Sequence, residues 1–142
     1  MTPKKSTWPL ALAAILGIGS MTLTGSVRAH HSFAMFDFSK TVVVKGTVKE
    51  FRWTNPHVVL IVTGTVPGGE AAQDWTTELT SPGNLTRIGW TRHSFNAGDR
   101  VELQLNPLRD GKHGGAFTQA TLLDSGKVMT SNLREAEKPG LN

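Results

Sequence analysis

Histidine carries most of the chemistry this chain can do, and its five copies are placed unevenly. His30 and His31 are adjacent, His57 closes the run Trp53-Thr54-Asn55-Pro56-His57, and His93 and His113 stand alone. An α-amine beside an imidazole chelates one metal ion, and further imidazole nitrogen completes the tetragonal set that Cu(II) favours. His30 offers that amine only if the mature chain begins there. The predicted metal ligands are therefore His30, His31 and His57, with Asn55 or Glu78 orienting them from behind. The plainer alternative makes His57 a turn residue bonded to backbone and leaves the others in solvent.

The N-terminus predicts that start. Lys4 and Lys5 precede an apolar stretch from Leu10 to Leu23, and Val27-Arg28-Ala29 puts small residues where a signal peptidase reads. Residues 1–29 are expected to be a signal peptide cleaved after Ala29, giving a periplasmic or secreted protein. The apolar stretch falls short of the roughly 20 residues a bilayer needs, so no integral membrane segment is expected after processing. Of 15 basic residues, Lys4, Lys5 and Arg28 fall in the leader, which leaves the rest nearly balanced against 11 acidic ones. Without a basic stripe, nucleic acid is not an expected partner. The chain has no Cys, which removes disulfides, thiolate metal sites and thiol catalysis.

The elements that must position these residues read as β-strands. Thr41 to Thr63 is rich in Val, Ile and Leu. Val42, Val44 and Val48 share one face and Phe51 and Trp53 the other, a change of buried face that predicts a β-bulge or bend starting near Gly46. Val58 to Val62 is continuously apolar and suits a strand covered on both sides; Gly64 to Ala72 reads as loop. Trp75, Thr77 and Leu79 alternate on a third strand. Ser81-Pro82 caps a short helix in which Leu85 and Ile88 fall three apart, with Gly89 ending it. Val101, Leu103 and Leu105 mark a fourth strand, and Ala116 to Leu123 a fifth, with a short extension to Met129. The order predicts a mainly β, five-stranded, OB-fold-like Greek-key barrel over residues 30–129, with one short helix between strands 3 and 4 and a disordered tail over 130–142. In such barrels the loops bearing His57 and His113 flank the ligand face, where the two could converge. Trp53, Trp75, Trp90 and Phe117 are expected mainly to fill the core; the alternative is a stacking face.

His30-His31-Ser32-Phe33, Phe36-Asp37, Gly46-Thr47-Val48, Trp53-Thr54-Asn55-Pro56-His57, Trp75 with Glu78, Gly89-Trp90-Thr91 and Gly98-Asp99 resemble, in order, a family of small exported bacterial proteins catalogued as domain of unknown function 6152. The resemblance spans about His30 to Met129. It implies export and a small β-barrel, brings no activity, and singles out His30, His31, Trp53, Asn55, His57, Glu78 and Trp90. In its terminal dipeptide alone, the chain also resembles the N-terminal-histidine copper sites called histidine braces. No GxSxG, P-loop, GxGxxG or HExxH pattern is present. The expected function is an exported binding module, not an enzyme, holding copper through its N-terminal histidine. The alternative is a metal-free barrel that binds a small organic molecule, oligosaccharide or protein partner through a Trp-lined face including Trp53, Trp90 and His113.

Overall fold

Among the described residues the chain forms six strands and one short α-helix. The structure is a computed structural model that describes residues 33–69 and 71–131. The leader, His30, His31 and residues 132–142 lie outside the described residues. A 3-10 turn at Phe33–Met35 leads into β1 (Val42–Arg52), β2 (Val59–Thr65), β3 (Gln73–Glu78), α1 (Pro82–Arg87), β4 (Arg100–Pro107), β5 (Gly114–Leu122) and β6 (Val128–Thr130). Strands pair in the order β3-β2-β1-β4-β5-β6, and a parallel β3–β5 pairing closes the first five into a barrel. This is the expected OB-like barrel with its helix between β3 and β4.

The bend in β1 is where the sequence predicts it. Its register against β2 slips between Val48 and Glu50, so Phe51 comes to lie opposite Leu60 and turns inward with Val44 and Val48. One extra residue has moved the odd-numbered positions to the core side. Gly46 faces Gly64 across the ladder, and a Cβ on Gly46 would run into the Thr63 carbonyl and come within 2.6 Å of the Gly64 Cα. The glycines let the two backbones cross closely.

Three local expectations are corrected. Gly64 and Thr65 continue β2 instead of opening the loop, because Gly64 is part of that crossing. β2 is not covered on both sides: Val58, Leu60 and Val62 point into the core, while Val59 and Ile61 are half-buried on the outer face. Ile88 does not pack beside Leu85. The helix stops at Arg87, Ile88 becomes its C-cap, and its side chain is 58% exposed. The start of α1 does follow expectation, with the Ser81 hydroxyl accepting from the Asn84 amide at 3.3 Å and Pro82 at the first helical position. The strand beyond β5 runs one residue past Met129, and Ser131 is buried with its amide donating to the Thr118 carbonyl at 3.2 Å. Among the described residues no helix is long and apolar enough to cross a membrane.

The barrel interior is one apolar cluster that includes Val44, Val48, Leu60, Leu103, Leu105 and Phe117. Each fully buried Leu or Phe stabilises the fold by about 1.5–3 kcal/mol. Thr77, wholly buried among them, satisfies its hydroxyl by donating to the Leu60 carbonyl at 3.0 Å.

Candidate functional site

The loop from β1 to β2 holds His57 against Glu78. Its Asn55–Pro56 peptide bond is cis, and Val58 anchors its far end by exchanging backbone hydrogen bonds with the Leu79–Thr80 segment, at 2.8 and 3.1 Å. Glu78 lies opposite Val59 in the ladder, so His57, two residues before Val59 and on the same face, reaches it. His57 Nδ1 contacts the Glu78 carboxylate, and the two side chains are 24% and 21% exposed. A carboxylate on Nδ1 is how metal-binding imidazoles are commonly oriented, and it makes Nε2 the nitrogen a metal would take. Asn55 stands exposed at the loop tip.

His113 does not join that pair. Its ring lies against Trp75, with centroids 4.9 Å apart and planes at 46°. Trp75 and Glu78 are three residues apart on β3, about 10 Å, and point to opposite faces. The two histidines therefore contact opposite faces of β3. His93 is exposed, its amide donating to the Thr91 hydroxyl at 3.2 Å, and lines a polar hollow with Asp99 and Asp124.

What the β4–β5 loop does meet is the N-terminal arm. Phe36 bridges Leu108, the Asp37 amide donates to the Pro107 carbonyl at 2.8 Å, and the Arg109 amide donates to the Met35 carbonyl at 2.9 Å. Arg109 Nε adds a bond to the Ala34 carbonyl at 3.0 Å. Phe36 packs on Ala116, Phe38 and Leu108 as a small second core. The Asp37 carboxylate accepts from the Ser39 hydroxyl at 2.6 Å and amide at 3.2 Å, and pairs with Lys40 at 3.1 Å. The Ser39 and Lys40 contacts hold the carboxyl below its ordinary 3.8, at about 2. Phe36 and Phe38 are the apolar anchors of the arm. Arg109 was not foreseeable, because it meets Ala34 from 75 residues away.

The aromatics fill one end of the barrel. Phe51 packs on Trp53, Trp90 and Phe95 with centroids 5.8, 6.4 and 5.4 Å apart, and Trp90 meets Phe117 edge-on at 5.6 Å. Trp75, Trp90 and Phe117 are buried, while Trp53 is half-buried. The outer face of β2 and β3 is formed instead by Val59, Ile61, Thr63, Asp74, Thr76 and Glu78. Phe95 is a core residue that the irregular segment around it concealed.

A groove of about 830 Å³ runs between α1 and the β5–β6 hairpin, past Arg87, Ile88, Trp90, Lys127, Val128 and Met129. Only Trp90 among these was singled out by the sequence. Among the described residues no three His, Asp or Glu side chains gather as a metal would need.

No curated protein and no solved structure matches the chain. The model of one family, described as a family of unknown function, matches residues 19–118, which takes in the arm, the histidine-bearing loop after β1, the helix and the first half of β5. By that match the chain belongs to this family, DUF6152.

Proposed function

We propose that the chain is an exported periplasmic binding module, not an enzyme, and that it holds copper through a mature N-terminus beginning at His30. One observation supports this above the others: the arm that follows His30 and His31 is fastened to the β4–β5 loop at Ala34, Met35, Phe36 and Asp37. Four residues separate Ala34 from His30, a reach of at most about 14 Å. His113 precedes Gly114, whose carbonyl accepts the Leu108 amide at 2.9 Å, and Leu108 is the residue Phe36 bridges. The arm also packs beside the His57 site, since Phe36 lies on Ala116, the register partner of Glu78. His57, held by Glu78, would supply the further nitrogen with or in place of His31, Glu78 orienting its ring.

Titrating the processed protein with Cu(II), alone and with three residues added before His30, tests the proposal. The added residues are expected to weaken binding by about a hundredfold or more, since the amine and imidazole no longer share a chelate ring. His57→Ala is expected to weaken it as well, since it removes an imidazole that Glu78 orients. Equal affinity with and without the extension overturns the proposal.

A further inference from the structure

The groove between α1 and the β5–β6 hairpin is independent of the histidines and suits a different ligand. Its volume, about 830 Å³, lies in the range that encloses a small organic molecule, about 300–1,000 Å³. Trp90 and Met129, 3% and 6% exposed, form the floor, and Ile88 and Val128, 58% and 53% exposed, form apolar shoulders. Two side chains along it are cations, Arg87 and Lys127, and none is a carboxylate. Elsewhere on the surface Lys45, Lys49, Arg52, Arg100 and Lys112 each face an Asp or Glu. Arg87 instead contacts only the Asn84 side-chain oxygen, at 3.4 Å, and neither it nor Lys127 has a carboxylate partner among the described residues.

We propose that this groove binds a small amphipathic organic anion, a carboxylate carrying an apolar body. The carboxylate answers Arg87 and Lys127, which a guanidinium and an ammonium both favour. The apolar body covers Ile88 and Val128 and reaches the edge of Trp90, removing exposed hydrocarbon from water. An inorganic anion would leave that hydrocarbon bare. A second copy of the chain packed face to face would set these cations against themselves, which like-charge repulsion opposes.

Calorimetric titration of the full-length chain with octanoate, octanol and octylamine reads the charge preference at constant chain length. Octanoate is expected to bind about tenfold tighter than octanol, and octylamine weakest. The double variant Arg87→Glu/Lys127→Glu alters exposed side chains and is expected to reverse the order of octanoate and octylamine. Chelator is expected to leave octanoate binding unchanged, which separates this site from any bound metal. The proposal is overturned if octanoate does not bind, if octylamine binds equally well, if the double variant keeps the original order, or if sedimentation shows the groove closed by a second copy.

Discussion

Asp37 shows how much a single side chain does here. It is the carboxylate of the arm, nearly buried, and its acceptor oxygens are committed to Ser39 and Lys40. Because its folded pKa lies below the ordinary 3.8, at about 2, the unfolded chain takes up the proton first as the solution is acidified. Its contribution to stability is therefore complete above about pH 4 and lost as the pH falls through about 2. Asp37→Asn is expected to flatten the fall in melting temperature between pH 4 and pH 2 and to loosen amide protection at Asp37 and Arg109 already at neutral pH. A parallel fall in both proteins removes Asp37 as the cause. The His57–Glu78 contact was half legible: the two residues stood out individually, but only the ladder register that places Glu78 beside Val59 joins them. His113 and Trp75 meet through a parallel pairing between distant strands, which no local pattern announces.

The elements were legible where local periodicity and capping chemistry act alone. The shift of apolar residues from even to odd positions after Val48 marked the bulge, and Ser81-Pro82 marked the start of α1. Ile88 was misleading because spacing alone cannot tell a helical position from the cap that follows it. Glycines carry the close approaches between elements, and their substitution separates tight from open positions. At Gly115 a Cβ would run into the Asn106 carbonyl and come within 2.8 Å of Leu105 Cδ1. Gly115→Ala is thus expected to cost about 1–3 kcal/mol, read as a lower urea midpoint with an unchanged slope. Gly83, on the first turn of α1, has only the Ser81 hydroxyl oxygen near such a Cβ, at 3.9 Å. Gly83→Ala is expected to stabilise the protein by about 0.4–1 kcal/mol in the same measurement, by restricting the unfolded chain.

At the scale of the molecule, one apolar interior holds the barrel without a disulfide. Leu103→Ala at its centre is expected to cost about 2–5 kcal/mol, a large part of the roughly 5–15 kcal/mol that such domains possess, and to appear as loss of the cooperative thermal transition near physiological temperature. Strand count, strand order along the chain and the helix's place were readable from composition and alternation; closure was inferred only from the element order, since the β3–β5 seam is made by residues nearly forty positions apart. That seam also governs how the protein is made. β5 pairs with β3 on one side and β4 on the other, so a growing chain that has produced only β1 to β4 displays two bare borders of backbone amides and carbonyls. Until Gly114 to Ala116 emerge, those borders are templates for any passing strand. Synthesis stalled before β5 should yield aggregates or chaperone-bound fragments, not a smaller folded core.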